Sequence, residues 1–271
     1  MEIAGYIASL VIGISLGLIG GGGSILTVPV LVYLFSLQPM LATSYSLFIV
    51  GSTSFVGAVS NLKKGLVNVK TALLFGSSSI ITVFLTRKIL ISNIPANIAN
   101  IGGFTVTLSI LTMVLFAILM LIASFVMIRN NRKGIELQRN EPLKPKLFRL
   151  IIYGISIGLV TGFLGAGGGF LLIPTLVLLL GLPMKEAIGT SLFIIALNSL
   201  FGFMGDIGQY TFDWFFLLKI TTVAIIGIFI GGVIGKKIKG DELKKGFGWF
   251  ILVIGIYIIV KELVFPASGG H

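Results

Sequence analysis

Two glycine runs, Gly20-Gly21-Gly22-Gly23 and Gly165-Ala166-Gly167-Gly168-Gly169, are the residues of this chain whose type and spacing first suggest chemistry. Each interrupts an apolar stretch. A glycine costs a helix about 1 kcal/mol relative to alanine, so a helix is expected to break at both runs. In hydrocarbon an unwound backbone is tolerated only where protein or a wet cavity satisfies its N–H and C=O groups. Paired breaks therefore point to a shared central cavity. A short apolar segment follows each break, at about 24–36 and 170–181, and its N-terminus would aim free N–H groups and a positive dipole end into that cavity. Such an end binds an anion without any charged side chain. Ser24 is placed to cap the first of these short helices through its hydroxyl, whereas the second copy has Gly169 there, so the half-sites are unequal. Pro29 and Pro174 either kink the short helices or open their regular part. The plainer alternative is that the glycines only allow close helix packing, but four in a row exceed what one helical face needs.

A polar stripe accompanies the breaks. Thr43, Ser46, Thr53 and Ser60 are spaced by three and seven and share one helical face with Gly57. In the second half Ser191, Asn198 and Gly202 take the places of Ser46, Thr53 and Gly57. Polar groups turned to lipid are costly, so this face should look inward and offer hydroxyls and an amide to an anion's oxygens. Hydroxyls bonded only to their own helix backbone are the alternative. Asn198 is the strongest single candidate, because an amide is harder to satisfy within its own helix.

No Asp, Glu, His, Lys or Arg falls in the middle of an apolar segment, which disfavours a proton relay, a catalytic triad, a metal cluster and hence a membrane enzyme. Asp206, Asp213 and Lys219, near expected membrane boundaries, are the nearest candidates for proton coupling, but they read rather as solvated loop charges. With no cysteine there is no thiolate chemistry or disulfide framework. No cofactor and no metal are expected.

The elements that must position these groups are membrane helices. Of 271 residues, 56% are hydrophobic and 11% charged, against roughly a quarter charged in a soluble domain. Apolar segments run at about 3–19, 24–36, 41–61, 67–90 and 101–128, then 147–164, 169–181, 185–204, 213–235 and 246–265, which is five per half. Runs such as Ile251-Leu252-Val253-Ile254 lack the alternation of an outer-membrane barrel. The net charge of +11 sits in short loops and reads as a topology signal, with no nucleic-acid partner. The chain's start lacks a basic region and reads as a retained membrane segment. We take residues 1–128 as a first transmembrane repeat, 129–146 as a basic cytoplasmic linker, 147–266 as a second repeat and 267–271 as an added tail.

The halves align without a gap when 13–57 is set on 158–202, with Gly20/Gly165, Gly22/Gly167, Gly23/Gly168, Pro29/Pro174, Ala42/Ala187, Ser46/Ser191, Phe48/Phe193 and Gly57/Gly202 in register. Shared apolar composition would not align glycines and prolines, so the chain reads as a duplication. The linker, Lys63-Lys64 and the basic loop from Lys236 to Lys245 belong on the cytoplasmic side. The counterpart of Lys63-Lys64 falls in the loop between Asp206 and Asp213, which has no Lys or Arg, so the two halves insert in opposite senses and both termini face outward. Arg87-Lys88 is the one discordant signal. The expected fold is an all-α polytopic membrane protein of two inverted repeats.

The stretch from Gly17 to Pro29, repeated from Gly162 to Pro174 and followed in each half by Ala42…Ser46-Leu47-Phe48 or Ala187…Gly189-Thr190-Ser191-Leu192-Phe193, resembles the sulfite exporter TauE/SafE family, also called the toluenesulfonate uptake permeases. The resemblance covers nearly the whole chain. It implies a prokaryotic inner-membrane permease for small sulfur-containing anions such as sulfite, organosulfonates or sulfoacetate. The alternatives are thiosulfate or a carboxylate as cargo, or a non-transporting membrane sensor or scaffold. The first copy reads Ser44-Tyr45-Ser46 where the second has Gly189-Thr190-Ser191, which sets a phenol opposite Thr190. The expected substrate-binding set is Gly20, Gly21, Gly22, Gly23, Ser24, Ser46 and Thr53 with Gly167, Gly168, Gly169, Thr190, Ser191 and Asn198. The expected partners are a small anion and the lipid bilayer, and a homodimer is left open.

Overall fold

The computed structural model describes residues 2–95, 97–101, 104–129, 147–178, 180–235 and 240–264. The linker from 130 to 146, the loop residues 236–239 and the tail beyond 264 lie outside the described residues. Helices α1 (Glu2–Ile19), α2 (Thr27–Tyr33), α3 (Pro39–Lys63) and α4 (Val69–Leu85) form the first series. A 3₁₀ turn, Gly21–Leu26, joins α1 to α2, and a π-helical turn, Thr86–Ile91, prolongs α4. Strands β1 (Asn97–Ile101) and β2 (Phe104–Thr107) precede α5 (Leu108–Arg129). Then follow α6 (Leu147–Leu164), α7 (Gly169–Leu178), α8 (Met184–Asp206), α9 (Trp214–Ile234) and α10 (Gly240–Val264).

Among the described residues, five helical stretches are long and apolar enough to cross a membrane: Pro39–Lys63, Val69–Ile91, Leu108–Phe125, Met184–Asp206 and Trp214–Ile234. Two expected boundaries are corrected. The apolar stretch that starts at 101 opens as a hairpin and not as helix, with β1 and β2 antiparallel and Ile101 paired to Phe104. Ile98, Ile101, Thr105, Val106 and Thr107 favour extended backbone, and Gly102-Gly103 fall between the paired strand ends, so helix begins only at Leu108. At the other end, α10 starts at Gly240, so the later part of the basic loop is helical.

The chain forms two compact units. One comprises 1–92 with 137–237, and the other 93–136 with 238–271. In the second unit α5 packs along α10, where Gly255 lets the helices close to within reach of Leu121. In the first unit α3 and α8 lie along each other and are the most buried of its spanning helices, with 72% and 67% of their apolar windows inside against 33% for α4 and 39% for α9.

Helix starts in this unit recur at the offset of the sequence alignment. The starts of α1, α3 and α4 at Glu2, Pro39 and Val69 recur 145 residues later as the starts of α6, α8 and α9 at Leu147, Met184 and Trp214. Packing follows the same exchange: α1 lies on α9 as α6 lies on α4, and α3 meets α9 as α8 meets α4. Small residues set these seams. A Cβ at Gly13 or Gly17 of α1 would strike the Ala224 or Ile228 carbonyl of α9, and one at Gly227 or Gly231 would strike the Leu10 or Ile14 carbonyl of α1. On α6, Gly158 takes the place of Gly13 and its Cβ would lie 2.7 Å from the Ser79 carbonyl.

The helix starts match in detail. Asn68 Oδ1 accepts from Thr71 N–H to cap α4, and Asp213 Oδ1 accepts from Phe216 N–H to cap α9. The Asn68 N–H in turn donates to Thr190 Oγ1 at 2.9 Å, and the Asp213 N–H to the Tyr45 hydroxyl at 2.7 Å. Tyr45 and Thr190 occupy equivalent positions, so the phenol and the smaller hydroxyl each tie the start of the opposite half's next helix.

Candidate functional site

Helix α1 ends at Ile19 and α6 at Leu164, and the backbone then turns at equivalent glycines, Gly20 with φ 77° and Gly165 with φ 68°. Each sends its N–H to the carbonyl four residues back, Leu16 or Thr161, at 2.9 Å. A positive φ costs a non-glycine residue roughly 1–2 kcal/mol, which explains why both copies keep glycine there. Beyond this point the copies diverge. Gly167 and Gly168 also take positive φ, whereas residues Gly21–Leu26 coil into the 3₁₀ turn.

The two breaks touch. A Cβ on Gly21 would strike the backbone of Gly169, and one on Gly169 would strike Gly21. Thr43 of α3 and Ser191 and Ser199 of α8 stand beside them, whereas Asn198 and Thr190 bond to Ser79 and Asn68 on the side of α4. A Cβ on Gly20 would lie 3.3 Å from Ser191 Oγ, and one on Gly167 would lie 2.9 Å from Ser199 Oγ and from Val50 Cγ1. One on Gly168 would strike Thr161 Oγ1. The structure thus brings Gly20, Gly21, Gly167, Gly168, Gly169 and Ser191 into one neighbourhood.

Most of the stripe is fully buried: Thr43, Ser46, Thr53, Ser191 and Asn198 are each 0% exposed, as is Thr190, whereas Ser60 is half-buried. Their hydrogen bonds differ. Thr43 and Ser191 donate to carbonyls of their own helix, at Met40 and Ile188. Ser46 Oγ and Thr53 Oγ1 have no partner among the described residues, nor has Asn198 Oδ1, although Asn198 Nδ2 donates to Ser79 Oγ at 2.7 Å. A buried hydroxyl or amide left without a partner is destabilising by about 1–3 kcal/mol, so this concentration along α3 and α8 marks a place suited to a polar ligand.

Ser24 acts differently from expectation. Its hydroxyl donates to the Gly21 carbonyl at 2.7 Å, within the 3₁₀ turn, and no side chain caps α2. Because that turn intervenes, α2 opens at Thr27 and has only seven residues, while the ten-residue α7 opens directly at Gly169. Pro29 is the third residue of α2 and Pro174 the sixth of α7, where it removes one helical hydrogen bond.

Three further groups were not singled out from sequence. Ser54 and Ser199 are equivalent positions on α3 and α8, both buried and both without a hydroxyl partner among the described residues. Their identity at the repeat offset was the available signal. Thr161 Oγ1, beside Gly168, is likewise unpartnered. The reading of Asp206 as a solvated charge is corrected: Asp206 and Arg87, each near the end of its helical stretch, are both 0% exposed and lie 3.2 Å apart. Arg87 is thus buried, whereas its neighbour Lys88 is exposed. Asp213 and Lys219 are exposed, the latter with its Nζ 4.0 Å from the centre of the Phe215 ring. In the loop after α8, burial pushes the Tyr210 phenol above its usual range, with the Asp206 charge adding to the shift and Arg87 opposing it. Among the described residues no group of His, Cys, Asp or Glu could hold a metal ion.

Comparison with known proteins gives the following. Residues 6–258 match the sequence model of a family described as sulfite exporter TauE/SafE. A probable membrane transporter protein of Xylella fastidiosa is 25% identical over 254 residues, covering 93% of this chain and 92% of its own length. The probable membrane transporter protein YunE of Bacillus subtilis is 27% identical over 279 residues, covering 95% and 98%. A second Bacillus subtilis protein, the probable membrane transporter protein YdhB, is 28% identical over 248 residues, covering 92% and 96%. No solved structure is matched significantly.

Proposed function

The chain belongs to the sulfite exporter TauE/SafE family of membrane transporters, and from that premise we propose that it is a secondary permease for small sulfur-containing oxyanions of the sulfite or sulfonate type. The observation that carries the reading is the contact of the two glycine breaks at Gly21 and Gly169, with Thr43 of α3 and Ser191 and Ser199 of α8 beside them. Bare backbone and unpartnered hydroxyls offer N–H and O–H donors to an anion, and the absence of side chains at the breaks lets the backbone approach closely. Ser46 and Thr53 supply hydroxyl donors in this reading and Asn198 the second N–H of its Nδ2, with Gly20–Gly23 and Gly167–Gly169 supplying the backbone and Ser191, whose proton goes to the Ile188 carbonyl, lining the place.

The exchange of packing partners between the halves supports inverted repeats, in which the breaks enter from opposite membrane faces and meet near the midplane. Rocking one half against the other then exposes one site alternately to each side. In this reading, which the loop charges support, both termini face the outside of a prokaryotic inner membrane.

Uptake of labelled sulfite into proteoliposomes tests the cargo. Saturable uptake competed by methanesulfonate or thiosulfate, and unaffected by acetate, is the expected result. Equal competition by acetate would assign the site to carboxylates, and absence of uptake for every anion would end the permease reading.

A further inference from the structure

Near the second glycine break lies a cation that the polar stripe does not include. We propose that Arg87 is the charge partner of the transported oxyanion, giving up its contact with Asp206 to take the anion's oxygens; the proposal rests on the permease reading above. Arg87 sits on the π-helical turn Thr86–Ile91 and Asp206 is the last residue of α8, and both are fully buried. Their closest approach, Nη1 to Oδ2 at 3.2 Å, has the distance of an ion pair without the angle of a hydrogen bond. Ser44 Oγ donates to the same Oδ2 at 2.6 Å. Arg87 Nε, Nη1 and Nη2 and Asp206 Oδ1 have no hydrogen-bond partner among the described residues.

Taking two charges out of water is repaid only when their geometry is good and the remaining donors are satisfied. Here neither condition holds, and a guanidinium with five N–H donors retains its capacity for a two-pronged contact with an oxyanion. The place is also right. A Cβ on Gly162, three residues before the second break, would lie 2.8 Å from Thr86 Cβ, and one on Gly165 would press on Thr43, the neighbour of Ser44. The cluster therefore flanks that break through both α3 and the π-helical turn, a kind of turn that concentrates at functional sites.

The duplication supplies a control. At the repeat offset, Ser44, Asp206 and Arg87 correspond to Gly189, Asn61 and Gly232. Asn61 is served by its own helix, donating from Nδ2 to the Gly57 carbonyl at 2.8 Å. The scaffold thus closes the equivalent place with a neutral amide, so the fold alone does not require a buried ion pair.

Three variants decide the matter by two readouts: thermal stabilisation by methanesulfonate in detergent, and uptake of labelled sulfite into proteoliposomes. The neutral pair Arg87→Gln with Asp206→Asn leaves no unpaired buried charge and should stay monodisperse. It should lose the methanesulfonate response and at least roughly tenfold of uptake. Arg87→Lys, which lacks the fork, should lose most of the response as well. Asp206→Asn alone removes the competitor and should bind methanesulfonate several-fold more tightly. Wild-type uptake by the neutral pair would overturn the proposal and leave Arg87 a packing group. Should the pair fail to fold, unchanged or weaker binding by Asp206→Asn overturns it. A wild-type protein that moves and binds no anion would bring down the permease reading itself, a result distinct from either of these.

Discussion

Valine in place of Gly167 should abolish anion uptake. Gly167 holds φ 67°, and a Cβ there would lie 2.9 Å from Ser199 Oγ and Val50 Cγ1 and 3.0 Å from Ile195 Cγ2. The backbone conformation alone costs a non-glycine residue roughly 1–2 kcal/mol, and overpacking adds typically 1–3 kcal/mol. Gly65 separates these effects, because it has the same φ of 67° and nothing within 4 Å of its Cβ position. Gly65→Val should lower the unfolding temperature by a comparable backbone penalty yet retain uptake, while Gly167→Val should also lose stabilisation by methanesulfonate. If Gly167→Val transports at the wild-type rate, the breaks serve only packing and the cargo passes elsewhere.

Leucine at Asn198 should separate transport from stability. Asn198 makes one buried side-chain bond, to Ser79 Oγ, and leaves Oδ1 unpartnered among the described residues; leucine strands the Ser79 hydroxyl but removes that unpartnered oxygen, and the two effects, each about 1–3 kcal/mol, largely offset in folding stability. The same change removes an amide from the face that the account gives to the anion, and uptake should fall by tenfold or more, equivalent to about 1.4 kcal/mol in the barrier. Ser46→Ala should produce a smaller loss, since a serine hydroxyl can fall back on its own helix. Uptake that tracks unfolding temperature across these variants would mean that Asn198 is a core amide and nothing more.

Much of this was legible in the sequence because duplication repeats its own punctuation. Helices α1 and α6 end at Ile19 and Leu164, just before Gly20 and Gly165, which the gap-free register had set opposite each other. What failed was local chemistry competing with an apolar background. The hairpin at 97–107 was hidden because its β-branched residues are as hydrophobic as helix formers, and only the Gly102-Gly103 pair betrays it. Ser24 joined a 3₁₀ turn, since four glycines leave enough freedom for the chain to tighten before α2 begins. Arg87 and Asp206 were misread for a different reason: each lies near the end of an apolar stretch, and nothing in sequence says that two such ends meet. Ser54 and Ser199 were identical at the repeat offset and would have been found by asking which matched residues are polar as well as which are glycine.

The central claim is that cargo occupies the place where the two glycine breaks meet and sees both sides of the membrane in turn. The chain contains no cysteine, so a single thiol at Ser199, beside Gly167, reports that place alone. The measurement is the rate of Ser199→Cys modification by a membrane-impermeant methanethiosulfonate reagent added from either face, with and without methanesulfonate. The account predicts modification from both faces and protection by methanesulfonate on both. Modification from one face only, or at a rate that saturating methanesulfonate leaves unchanged, would contradict it.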